Sequence, residues 1–230
     1  MRNFIFLASL AFIISSCSNS RYLTSDYERF GKSHSTIAIL PYDITLKGRK
    51  VASMDPDVLE DIKIEESKLF QLSLYTEVLD RTGSSNNDIK ISVQPLSKTN
   101  RLLKDAGVEF VNIGEYTSAE LGSILNVDAI LSTRLIKDMF LSKEEAVVID
   151  VATDVATDVL NKTNNRSKYL ARAKMTRTSE VDIYATIMDT SSESVVWAYN
   201  TDCDIQWEMD EDDIIENINA RISKKLPYRD

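Results

Sequence analysis

Short apolar or alternating runs separated by stretches of helical period constrain this chain most. Residues 36–42, Thr-Ile-Ala-Ile-Leu-Pro-Tyr, read as a buried first strand closed by proline. A long helix is expected after it. Asp55 is placed to cap that helix with Pro56 at its first position, and Leu59, Ile62, Leu69, Leu72, Tyr75 and Leu79 recur at roughly helical spacing. Ile89, Ile91 and Val93 alternate as a strand, and residues 97–106 form a short helix ended by Gly107. Thr117-Ser118-Ala119-Glu120 fits a capping box, opening a helix that exits at Asn126 before a strand over 128–137. Two strands, 181–188 and 194–199, make a hairpin through polar residues 189–193. A last helix carries Ile214, Ile218 and Ile222 on one face, acids in its first turn and bases in its last. The expected fold is α/β (α+β): a mixed sheet of about five strands flanked by helices.

The amino terminus reads as a processing signal. Arg2 precedes an apolar stretch over residues 4–14, broken by Ser9 and too short to span a bilayer. Ile14-Ser15-Ser16-Cys17 follows, an aliphatic residue, two small ones and a cysteine, which resembles the bacterial lipobox. Cys17 is therefore the expected lipidation site, carrying diacylglycerol on sulfur and an N-acyl chain on its amine; two or more acyl chains anchor stably where one is marginal. Ser18, which is not aspartate, goes with the outer membrane in known lipoprotein sorting, so the body is expected to face the periplasm. Residues 1–17 are assigned to the signal peptide and lipobox, 18–34 to a flexible tether and 35–228 to the α/β domain. Within the tether His34 reads as a solvated linker residue.

With 27 basic against 36 acidic side chains, the net charge of -9 has the wrong sign for phosphate backbones, so nucleic acid is not an expected partner. A hydrophobic fraction of 43% supplies a core and rules out global disorder. One histidine and two cysteines leave no zinc-finger spacing and no HExxH helix. The acids Asp202, Asp204, Glu208, Asp210, Glu211, Asp212 and Asp213 do not match a calcium loop, because Trp207 stands where glycine is required. Trp197 and Trp207 read as core. No catalytic residue, metal or cofactor is expected beyond the lipid on Cys17.

Ile37-Ala38-Ile39-Leu40-Pro41-Tyr42, the helix-to-strand step Leu121-Gly122-Ser123-Ile124-Leu125-Asn126-Val127-Asp128-Ala129-Ile130-Leu131, and the hairpin ending in Val195-Val196-Trp197 occur in an order similar to that of the CsgG and TolB amino-terminal-domain family. The resemblance covers roughly residues 36–200 and has no catalytic motif to transfer. It implies an envelope scaffold, secretion component or regulator whose partners are the membrane, other envelope proteins and, in the channel-forming case, copies of itself.

Residues 142–178 are an insertion. Asp150, Asp154 and Asp158 open a four-residue repeat, Asp-Val-Ala-Thr, and beyond a turn-rich stretch stand Lys168, Arg172 and Lys174. As two strands these place acid opposite base, pairs worth roughly 0.2 to 1 kcal/mol each. About 10 residues per strand also suits a membrane-spanning β-strand. A soluble hairpin, a membrane-inserted or oligomer-forming hairpin, and a surface helix with a loop all remain open.

Overall fold

A computed structural model describes residues 19–83, 85–139, 177–206 and 211–229. Its sheet contains β1 (Asn19–Leu23), β2 (Thr36–Ile39), β3 (Asp43–Lys47), β4 (Ser92–Val93), β5 (Ala129–Met139), β6 (Arg177–Asp189) and β7 (Val195–Gln206). The order is β1-β7-β6-β5-β2-β4, with β3 also on β5. The helices are α1 (Ser25–Arg29), α2 (Pro56–Leu79), α3 (Leu96–Asp105), α4 (Ser118–Leu125) and α5 (Glu211–Lys225). The architecture is an open mixed α+β sheet, with seven strands where about five were expected.

One added strand comes from a bulge. β2 and β3 run parallel to β5 as one interrupted strand, with Ile39 opposite Leu131 and Asp43 opposite Arg134. The chain thus spends one extra residue at Leu40-Pro41-Tyr42, where proline has no N–H to give a ladder. Because side chains alternate, the extra residue shifts their parity. Ile37 and Ile39 enter the larger core before the bulge; Tyr42, Ile44 and Leu46 enter the same core after it. Without it Asp43 and Thr45 would point inward. The long helix begins at Pro56, as its spacing predicts, capped by the Asp55 carboxylate, which accepts from the Asp57 N–H at 2.9 Å.

The inward face of α2 also differs from the apolar spacing. Ser67, Phe70, Gln71, Leu74 and Val78 are buried, whereas Leu69 and Leu72 are 50% and 55% exposed. The bulge explains the choice. Gln71 Nε2 donates to the Ile39 carbonyl at 2.9 Å and Ser67 Oγ to the Tyr42 carbonyl at 2.8 Å, one on each side of the kink. Buried carbonyls need donors, and meeting that need outweighs hiding two leucines.

α2 and α5 cover one side of the sheet, where Ile214, Ile218 and Ile222 pack with Trp197, Tyr199 and Leu135. Tyr42 donates its hydroxyl to Asn219 Oδ1, and Asn219 Nδ2 donates to the Phe70 carbonyl at 3.2 Å, tying strand, α2 and α5 together. α3 and α4 cover part of the other side through Leu103, Leu121 and Leu125 against Ala38, Leu40 and Ile130. The Thr117–Glu120 capping box forms in full, and Asn126 and Gly107 take the left-handed conformations that end α4 and α3.

Residues 19–34 do not behave as a tether. β1 pairs antiparallel with β7 from Asn19 opposite Thr201 to Leu23 opposite Trp197. Thr24 Oγ1 then donates to the Val195 carbonyl at 2.9 Å, and α1 buries Tyr27. An edge strand is held mainly by backbone hydrogen bonds, which polar text such as Asn-Ser-Arg-Tyr supplies as well as apolar text. β5 and β6 end together, Met139 opposite Ser179, so the chain leaves and re-enters at one pole between them.

Candidate functional site

His34 is at the centre of a buried polar cluster. Its side chain is 1% exposed, with Nε2 at 2.9 Å from Asp189 Oδ2 and Nδ1 at 2.8 Å from the Tyr228 hydroxyl. A carboxylate only accepts, so Nε2 carries the proton of that bond, and in the neutral ring Nδ1 accepts from the phenol. The other carboxylate oxygen of Asp189 accepts from the backbone and hydroxyl of both Ser191 and Ser192, at 2.6 to 3.2 Å. Burial pushes the Asp189 carboxyl up, but those serine bonds and His34 outweigh it and hold the group well below the usual carboxylate range. Burial also pushes the Tyr228 phenol up, with Tyr27 and Asp189 adding to the effect. Tyr27 donates to the Pro227 carbonyl at 3.0 Å. The cluster clasps the start of the body, the β6–β7 turn and the chain after α5. Nothing in the residues around His34 signals this, because its partners lie 155 and 194 positions away.

The sheet face that α3 and α4 leave uncovered is the second feature. Cross-strand register aligns Ser20, Asn200, Tyr184, Arg134 and Asp43 across five strands. Arg134 Nε donates to Asp43 Oδ2 at 2.7 Å. Beside this row a cleft of about 780 Å³ opens between the sheet and the start of α4, lined by Tyr116, Ser132, Arg134, Tyr184, Thr186 and Glu193 among others. Leu40, Ile113, Leu121, Ile136 and Met188 line it too, so it offers apolar contact beside hydrogen bonding and ion pairing. Toward the pole where β5 meets β6, Asp182 stands opposite Asp202 and Glu180 opposite both Asp204 and Asp138. Like charges directly opposed disfavour the sheet. Among the described residues no group of three or more His, Cys, Asp or Glu side chains is arranged to hold a metal ion.

The proposed lipidation site Cys17 lies outside the described residues, as do Asp150, Asp154, Asp158, Lys168, Arg172 and Lys174 of the insertion. Glu208, Asp210 and Trp207 lie outside as well, while Trp197 is fully buried and stacks on Tyr199 at 6.1 Å. No described helix is long and apolar enough to cross a membrane.

The fold and its surfaces define the class: an open-sheet α+β domain with a clasped amino-terminal segment and a polar, partly uncovered sheet face. No protein-family model and no curated protein sequence matches the chain. Among solved structures it is similar to the lipoprotein GNA1162 from Neisseria meningitidis, at 10% identity over 82% of this chain and 93% of that one, with a TM-score of 0.45. It is also similar to the PelC dodecamer from Paraburkholderia phytofirmans, at 8% identity over 94% of this chain and 100% of that one, TM-score 0.39. A third is the LpoB C-terminal domain from Salmonella enterica, at 7% identity over 75% of this chain and 83% of that one, TM-score 0.32. At these scores no chemistry passes from those proteins to this chain.

Proposed function

We propose that this chain is a non-enzymatic envelope lipoprotein. Diacylglycerol and an N-acyl chain on Cys17 hold it on the outer membrane facing the periplasm, where its α/β body contacts other envelope proteins during assembly or secretion. The observation that carries this reading is Ile14-Ser15-Ser16-Cys17 directly after a short apolar stretch. The uncovered sheet face and its 780 Å³ cleft supply a binding surface for a protein partner. Fatty-acid labelling and fractionation of wild type and Cys17→Ser test the anchor: label and membrane retention are lost in the variant if the reading is right. Label missing from the wild type refutes it. Crosslinking in intact cells followed by mass spectrometry identifies the partner.

A second reading, a secretion-channel-like oligomer built from the insertion, is favoured by one observation. β5 and β6 are adjacent and antiparallel, so the segment between Met139 and Arg177 leaves and returns at one pole, as an inserted hairpin requires. Deleting residues 144–176 separates the two: a channel loses its oligomeric size, whereas an anchored binding protein keeps both size and membrane extraction behaviour.

A further inference from the structure

We infer that the edge strand β1 is the surface that meets the bilayer, lying along it with Tyr22 and Leu23 in the headgroup layer. This rests on lipidation of Cys17 as proposed above. Two residues of chain reach at most about 7 Å. An acylated Cys17 therefore holds Asn19, the first residue of β1, against the membrane, with no linker to let the body turn away.

Asn19 can be brought to a bilayer with the strands upright or with the sheet resting on its β1 edge. Upright strands send β6 and β7 ahead of the anchor. Asn19 pairs with Thr201, and β7 continues from there to Gln206, roughly 17 Å further at the rise of a strand. That stretch carries Asp182 opposite Asp202 and Glu180 opposite Asp204, with Asp138 beside them on β5. Asp202 and Asp182 stand about 3 Å, and Asp204, Glu180 and Asp138 about 10 Å, past the level of Asn19, and carboxylates are among the groups a bilayer excludes most strongly.

Resting on its edge, the sheet presents a different set. Tyr22 is 67% exposed and Leu23 44%, with Arg21 exposed just before them. Val195, 37% exposed, adjoins the far end of β1 through Thr24. Tyrosine and arginine settle at headgroup level, the ring or stem in the apolar layer and the polar tip in water. Leu23 and Val195 lie at the end of β1 away from Cys17, so acyl chains at one end and apolar side chains at the other lay the strand flat. β1 is also the terminal strand of the sheet, and headgroups cover its outer backbone edge, which otherwise invites pairing with another chain.

The test uses the full lipidated protein in a Cys203→Ser background, reconstituted in phosphatidylcholine vesicles containing a nitroxide-headgroup lipid. A fluorophore is placed singly by Leu23→Cys, Asp204→Cys or Lys104→Cys, the last on α3 beyond the opposite side of the sheet. The expected result is quenching several-fold stronger at 23 than at 204 or 104. Stronger quenching at 204 than at 23 means upright strands and overturns the inference, as does equal quenching at all three. A label at 23 that escapes lipid quenching yet is shielded from aqueous iodide, in a protein of doubled mass by light scattering, assigns the edge to a second copy and also overturns it. Fatty-acid label on Cys17, measured on the same preparations, separates the two levels: its absence removes the lipoprotein reading and this inference together, whereas acylated protein with the wrong quenching pattern removes this inference alone.

Discussion

His34 Nε2 and Asp189 Oδ2 meet at 2.9 Å across 155 residues of sequence, both side chains almost wholly withdrawn from water. The pair joins the amino-terminal segment to the end of β6, and Tyr228 closes it from the third side. A buried carboxylate whose partner is removed costs far more than a surface one. His34→Ala is expected to lower stability by about 3 kcal/mol, read as a shift in the urea midpoint, with Asp189→Asn costing less because the amide oxygen still accepts from Ser191 and Ser192 and the other imidazole tautomer accepts the new amide N–H at Nε2 while donating Nδ1–H to Tyr228. A midpoint unchanged in His34→Ala contradicts the clasp.

The depressed Asp189 carboxyl contributes to the acid limb of stability. Its folded-state value lies below the ordinary 3.8, so the unfolded chain binds the proton first. The contribution is complete above roughly pH 5 and drains away as pH falls below about 4 toward the folded value. Urea unfolding at neutral and acid pH checks this: Asp189→Asn should be destabilised at neutral pH and converge on wild type in acid.

Gln71 and Ser67 serve the kinked β2–β3 strand, so their loss should be felt although neither is apolar. Gln71→Leu removes the donor to the Ile39 carbonyl and is expected to cost about 1 to 3 kcal/mol. Leu72→Gln, on the exposed side of the same helix, should stay within about 0.5 kcal/mol of wild type. Thermal melts of the two variants give the comparison; equal losses would show that α2 packs on a different face.

Trp197 fills the core by volume and makes no use of its polar atom. Its Nε1 is buried without a hydrogen-bond partner among the described residues. Trp197→Phe leaves no donor stranded and is expected to cost less than about 2 kcal/mol, while Trp197→Ala opens a cavity costing about 3 to 5 kcal/mol. Denaturant unfolding followed by circular dichroism distinguishes them.

What could be read along the chain is what neighbours within a few positions decide. Asp55 with Pro56, the Thr117–Glu120 box, Asn126, Gly107 and the isoleucines of α5 all stand where local spacing puts them, because caps and amphipathic faces need partners no more than four residues away. The order of the strands and helices from β2 onward, β3 apart, and hence the fold class, follows from the same local patterns. The tertiary structure alone decided three things. It made residues 19–34 a strand and a clasp instead of a tether, since backbone pairing with β7 and the bond from His34 to Asp189 depend on partners brought near only by folding. It turned Ser67 and Gln71 inward in place of Leu69 and Leu72, since the carbonyls beside Pro41 need donors only once the bulge exists. And it placed Tyr22 and Leu23 on the terminal strand of the sheet among the described residues, beside the proposed anchor position, a consequence of strand order that no run of residues encodes by itself.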